Sequence, residues 1–335
     1  MRILVAGGAG FLGSNLCRRL VDDGHDVTCL DNELTGTVAN VTDLLGHPRF
    51  RFIRADVVHA PDIETDLVMH LASPASPVDY DRLPLETLSA NSVGTRRLLE
   101  IATANKARFV YTSTSEIYGD PLVHPQSESY WGNVDPVGPR ACYDEAKRFG
   151  EALISTWRRV HGLEAAIVRL FNTYGPGMRL DDGRVIPELF GAALQGRHLT
   201  IHGDGRQTRS FMFVDDLVDG LLHVAMDPAL DGLIVNIGNP DEVTIEELAR
   251  RITSIFGGGL EVHHIPARPG DPRQRRPDIT QISDRYGWTP RVQLDDGLRR
   301  TVAHYRNGSK PQRKVVIKVH DDGVRPDPTE SELVG

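Results

Sequence analysis

The chain has 335 residues, with 38 Lys+Arg against 46 Asp+Glu, a formal charge of −8. That balance is the reverse of a nucleic-acid binder's basic surface. The 40% hydrophobic content excludes global disorder. No apolar run reaches the ~18 residues of a membrane span. The opening Met1-Arg2 leads straight into a strand-like run, so no signal peptide is expected and a cytoplasmic location is. Cys17, Cys29 and Cys142 form no CxxC spacing, so neither a disulfide framework nor a metal site is expected.

Short apolar runs alternate with amphipathic stretches over the first half. Arg2–Ala6 reads as a buried strand, and Phe11–Asp23 as a helix with Leu12, Leu16, Leu20 and Val21 on one side. Further strands are expected at Asp26–Asp31, Arg51–Arg54, Leu67–His70, Arg108–Tyr111 and Ala166–Leu170, with helices at Thr87–Ala104 and Tyr143–His161. This alternation predicts an α/β fold, a doubly wound parallel Rossmann sheet with its crevice at the carboxyl ends of the strands. After Tyr174 the texture changes, which suggests a smaller substrate-binding domain. The expected division is 1–173 for nucleotide binding, 174–306 for the substrate, with a strand near 233–237 returning to the first sheet, and a flexible polar tail at 307–335.

Three motifs carry chemistry. Gly7, Gly10 and Gly13 sit between the first strand and the first helix, where a glycine turn lets backbone approach a pyrophosphate. Asp31 ends the next strand, where a carboxylate suits the ribose hydroxyls of NAD and repels a 2′-phosphate. Tyr143 and Lys147 lie one helical turn apart on one face, and a lysine ammonium beside the phenol is expected to lower its pKa. Finally, Thr112-Ser113-Thr114-Ser115-Glu116 ends a strand, so its residues reach the crevice. Each motif alone has a plain structural explanation: a tight turn, a solvated helix face, turn chemistry. Their combination in one strand–turn–helix frame does not.

Together these motifs resemble the extended short-chain dehydrogenase/reductase superfamily. The resemblance sharpens at His70–Pro77 (HLASPASP), Ser113–Pro121 (STSEIYGDP), Tyr130–Asp135 (YWGNVD), Gly138–Lys147 (GPRACYDEAK), Phe171–Pro176 (FNTYGP) and Arg275–Asp278 (RRPD). These resemble the UDP-glucuronate decarboxylases, or UDP-xylose synthases, over Met1 to about Tyr305. The resemblance implies a catalytic set of Thr114, Glu116, Tyr143, Lys147 and Arg275, with the adjacent Arg276 nearly as good a candidate for the arginine. It implies NAD contacts at Gly7, Gly10, Phe11, Leu12, Gly13, Asp31, Asn32, Thr35 and Gly36, continuing through Asp56, Val57, Leu71, Ser73, Tyr143 and Lys147. Tyr80, Ser115, Asn172, Arg184, Arg209 and Arg268 are implied for the UDP-sugar. This sequence departs from the family at Ser89, where a lysine is usual, and at Gly177, where many relatives have arginine.

The implied reaction is decarboxylation of UDP-glucuronate to UDP-xylose through a 4-keto intermediate, with NAD recycled internally, in a homodimer. The implied partner is a UDP-sugar, with neither nucleic acid nor membrane. A 4,6-dehydratase places Asp-Glu after the threonine, whereas Ser115-Glu116 stands here. The 4-epimerases lack the glutamate, so a UDP-glucuronate 4-epimerase is the second reading. A non-catalytic sugar-nucleotide binder would have lost Tyr143 or Lys147, and both are present.

Overall fold

The strands begin where apolar runs can be buried on both faces. In β1 (Arg2–Ala6) the side chains of Ile3 and Val5 enter one core while Leu4 and Ala6 enter another, as a central parallel strand requires. The computed structural model describes residues 1–267, 273–308, 317–320 and 323–326. After β1 come α1 (Phe11–Asp22), β2 (Asp26–Asp31), β3 (Phe50–Arg54), β4 (Leu67–His70), α2 (Thr95–Asn105), β5 (Arg108–Thr114), α3 (Ala141–His161) and β6 (Ala165–Leu170). Far along the chain, α4 (Val214–Met226) and β7 (Ile234–Ile237) follow. The sheet order is β7-β6-β5-β4-β1-β2-β3, every pairing parallel. The order reverses between β1 and β4, which opens the ligand crevice at their carboxyl ends.

Leu16 and Leu20 of α1 and Leu217 and Leu221 of α4 cover one face; Leu98 and Leu99 of α2 cover the other. Each fully buried leucine contributes roughly 1.5–3 kcal/mol. The stretch expected as one helix from Thr87 is interrupted: Pro84–Ser89 is α-helical, Ala90–Gly94 is a π-turn, and α2 follows. Asn91 of this turn is buried behind the crevice wall, where its Nδ2 donates to Ser73 Oγ at 2.8 Å and Tyr111 donates to its Oδ1 at 3.1 Å. Between β6 and β7, and again after β7, the chain builds helices Val185–Leu194, Ile245–Ile255 and Leu294–Gly308 with short two-stranded ladders. Phe190, Leu199 and Ile201 there join the core of β1 and α4. Of the expected tail, Ile317–His320 pairs antiparallel with Gly323–Pro326; the rest from 309 on lies outside the described residues.

Candidate active site

Two adjoining clefts open at the carboxyl ends of the strands. The first is walled by the glycine turn, Asp31, Asn32, Thr35, Gly36, Asp56, Val57, Leu71 and Ser73. Gly7 has φ +80°, a conformation that favours glycine, and a Cβ there would stand 2.7 Å from Ala72 N. A Cβ at Gly13 would stand 2.7 Å from Gly8 Cα, so the turn can close only without side chains. Gly10 precedes α1 with no side-chain cap, so the helix N-terminus offers its N–H groups to an anion. Asp31 is buried; its Oδ2 accepts from Ala9 N at 3.0 Å and its Oδ1 from Glu33 N at 2.8 Å. These bonds fix the carboxylate and leave further lone pairs for ribose hydroxyls. Asn32 Nδ2 donates to Asp56 Oδ2 at 2.8 Å, holding the neighbouring loop. The cleft therefore fits an adenine dinucleotide without a 2′-phosphate.

The second cleft holds Thr114, Ser115, Glu116, Tyr143, Lys147, Asn172, Arg184, Arg209, Tyr80 and Arg275. Every described residue singled out from the sequence lines one of the two clefts; Arg268 lies outside the described residues. Arg276, adjacent to Arg275, is absent from both linings and donates its backbone N–H to Gln126 Oε1 at 2.9 Å. The hydroxyl run divides. Thr112 donates to His70 O at 3.0 Å and Ser113 to Glu151 Oε1 at 2.6 Å, so these two brace the fold. Thr114 caps a 3-10 turn over Ser115–Tyr118, accepting from Glu116 N at 3.2 Å.

Tyr143 is buried and stacks on Tyr80, ring centres 5.3 Å apart. Its phenol does not show the lowered pKa that the lysine was expected to produce. Burial pushes it up to about 12, against a smaller downward pull from its hydrogen bond with Thr114. Lys147 explains the difference. It too is buried, its Nζ donates to Thr112 O at 2.9 Å, and it lies 6.0 Å from the Tyr143 ring centre. Burial lowers the ammonium to about 7, with Glu151 opposing. Both groups are thus drawn away from their solution values toward neutrality.

Glu116 is gripped from two sides, by Arg275 Nη1 on Oε1 and by Arg140 Nη2 on Oε2. Burial works against its charge, but the two guanidiniums, Arg275 first, hold its carboxyl well below the usual range. Arg275 is 3% exposed, and its Nε has no hydrogen-bond partner among the described residues. Arg140 was missed in the sequence reading. Its signal was present, since it stands in the same GPRACYDEAK run as Tyr143, one residue before α3 begins. Arg179 was also missed; it links the first cleft's wall to Asp79 at 2.9 Å and to Thr35 O at 3.1 Å.

A Rossmann sheet, a dinucleotide cleft and a Thr–Tyr–Lys set beside it define a nucleotide-dependent enzyme that oxidises and reduces an alcohol. The chain belongs to the NAD dependent epimerase/dehydratase family, whose model matches residues 3–238. NAD is the cofactor. The chain is 48% identical over 299 residues to UDP-glucuronic acid decarboxylase 5 of Arabidopsis thaliana, covering 89% of this chain and 87% of the relative. It is 47% identical over 305 residues to UDP-glucuronic acid decarboxylase 1 of Xenopus tropicalis, covering 91% and 72%. Among solved structures it is similar to the UDP-glucuronic acid 4-epimerase of Bacillus cereus in complex with UDP-glucuronic acid and NAD. There the TM-score is 0.82 and the identity 29%, over 92% of this chain and 99% of that one. It is equally similar to UDP-glucose 4-epimerase of Thermotoga maritima, with TM-score 0.84, 30% identity and coverage of 92% and 100%.

Proposed function

We propose that the protein decarboxylates UDP-glucuronate to UDP-xylose. The observation that carries this reading is Glu116, ionised between Arg275 and Arg140 in the cleft that contains Tyr143. The names of relatives at 47–48% identity point the same way. Bound NAD supplies a hydride acceptor and donor for sugar C4. The buried Tyr143 phenol must first give up its own proton to solvent; its phenolate Oη then takes the proton of the C4 hydroxyl and later returns it, with Thr114 as its hydrogen-bond neighbour. The ketone at C4 is β to the C6 carboxylate, so loss of CO2 delivers an electron pair to the C4 oxygen. The hydroxyls of Tyr143 and Thr114 stabilise that developing charge. Arg275 holds the departing carboxylate and Glu116 orders the water beside it. Asn172, Arg184 and Arg209 serve the UDP portion, and Tyr80 packs the sugar side of Tyr143.

The structural neighbours that are epimerases keep a second reading, 4-epimerisation, under test. Incubation with UDP-glucuronate should release CO2 and UDP-xylose in equal amounts. UDP-galacturonate without CO2 would replace this reading by the epimerase. We also propose a homodimer through the surface formed by Pro84–Ser89 and α3. Leu85, at 71% exposure, Leu88, Phe149 and Val160 leave apolar side chains open there. A sedimentation mass equal to one chain would contradict it.

A further inference from the structure

Decarboxylation consumes a proton. The C5–C6 bond breaks, CO2 leaves, and C5 must gain a hydrogen. Tyr143 returns only the proton it took, so the C5 proton has another source. Glu116 does not hold one, because Arg275 and Arg140 keep it ionised. Asp144, the residue after Tyr143, has no part in the chemistry described above. It is 6% exposed, and its Oδ1 has no hydrogen-bond partner among the described residues. Its Oδ2 lies 3.9 Å from Arg140 Nε, while Arg140 Nη2 donates to Glu116. One guanidinium therefore joins the two carboxylates.

Charge counting then singles out Asp144. Among the described residues, Arg140 and Arg275 balance Glu116 and Asp144. Glu145 adds negative charge from the same helix, Arg209 adds positive charge on the Glu116 side, and the phenols of Tyr80 and Tyr143 adjoin. A substrate carboxylate entering beside Glu116 brings a third anion into a buried cluster, where like charges cannot all stay ionised. The carboxylate with the poorest pairing gains the proton most easily. Among the described residues Glu116 is ion-paired with two guanidiniums, whereas Asp144 has one within 4 Å, at 3.9 Å, and feels Arg275 only from farther off.

We propose that Asp144 is the proton reservoir of the site, protonated when a carboxylate-bearing UDP-sugar enters and drawn on through water at Glu116 when C5 loses CO2. The electron pair of the C5–C6 bond passes to the C4 enolate. As the enolate collapses, C5 takes the proton, and Asp144 is left as a carboxylate that takes a proton from solvent again when the next carboxylate-bearing substrate enters. Asp144 acts through Arg140 and Glu116 and is a positioning residue. Burial and then the Glu116 charge already push its carboxyl up to about 7. The inference rests on the decarboxylase reading.

The test uses NAD-loaded Tyr143→Phe protein, in which turnover should be slow enough for binding to be read by itself. Calorimetry at about pH 8, in buffers of different ionisation enthalpy, counts protons taken up on binding. With UDP-glucuronate the uptake should approach one proton per site. UDP-xylose, which lacks the carboxylate, should cause almost none, and neither should UDP-glucuronate with Tyr143→Phe/Asp144→Asn. Equal uptake with and without Asp144 overturns the proposal. Infrared difference spectra of the Tyr143→Phe protein give a second reading: a protonated-carboxyl band should appear with UDP-glucuronate, and no new band also overturns it. The rate should fall at alkaline pH, where the reservoir is no longer filled; in the otherwise unaltered enzyme, Asp144→Asn should lower kcat at least about tenfold and flatten that fall, and Asp144→Glu should restore both. Binding of UDP-glucuronate without uptake removes only the reservoir. Failure to bind removes the decarboxylase reading and the reservoir with it.

Discussion

Glu116 and Arg275 stand 159 positions apart in sequence and form an ion pair in the substrate cleft, with Arg275 3% exposed. The strand that ends at Thr114 delivers the carboxylate, and a segment in the second half of the chain delivers the guanidinium. The site is complete only when both parts of the chain are folded together.

Replacing Arg275 with Ala separates the two steps of the reaction. C4 oxidation should persist, seen as NADH absorbance on adding UDP-glucuronate, while CO2 release falls by at least about 100-fold. Arg140 still faces Glu116, so the fold survives, destabilised by on the order of 3 kcal/mol. A variant with raised KM and unchanged kcat would reduce Arg275 to a phosphate contact.

Tyr143→Phe removes one hydroxyl and should lower turnover by roughly 10²–10⁴-fold. NAD affinity and melting temperature should stay close to wild type, because the ring still stacks on Tyr80. Substrate-driven NADH formation in the variant would show that another group takes the C4 proton.

Asp31 should select against NADP. Its carboxylate is fixed by Ala9 N and Glu33 N and would meet a 2′-phosphate as like charge. NADP should bind at least about 100-fold more weakly than NAD, about 2.7 kcal/mol. Equal titration curves for the two dinucleotides would refute this selectivity.

His70 and Asp144 bend the pH dependence of stability in opposite directions. Burial, with Lys147 adding, lowers the His70 imidazole to about 3, against ~6.5 unfolded. The unfolded chain then binds more protons between these values, so His70 stability is present above ~6.5 and lost as pH falls toward 3, by about 1.4 kcal/mol per pH unit. Asp144, raised to about 7 from ~3.9 unfolded, contributes stability below ~3.9 that is lost as pH rises through 7. Relative to wild type, His70→Gln should therefore gain denaturant resistance as pH falls from ~6.5 to ~4.5, by about 2–3 kcal/mol over the interval. Asp144→Asn should gain it as pH rises over the same range. Urea midpoints at several pH values check both signs, and parallel curves for wild type and either variant would refute that variant's assignment.

The fold was legible because period and punctuation carry it. Apolar runs of four to seven residues, a glycine turn and an acid at the next strand end are local signals, and each strand expected in the first half lies in the parallel sheet. The π-turn at Ala90–Gly94 was not legible, since an extra residue per turn leaves no mark on a helical pattern. The division of labour within Thr112–Glu116 was hidden for a similar reason. Alternation along a strand says which residues share a face, but not that the Ser113 hydroxyl is spent on Glu151 while the Thr114 hydroxyl meets Tyr143. Arg140 and Asp144 were overlooked because their roles depend on Glu116, on a separate element. The balance of burial against charge at Tyr143 and Lys147 is likewise a property of packing, not of a four-residue spacing.

The most direct measurement is a proton NMR time course of NAD-loaded enzyme with UDP-glucuronate in D2O, beside optical recording of NADH. UDP-xylose should carry one deuterium at C5 and retain protium at C4, because the same hydride returns there, with CO2 in equal amount and no net NADH at completion. A six-carbon UDP-uronate product with no CO2, or deuterium at C4 of the pentose, would contradict this course.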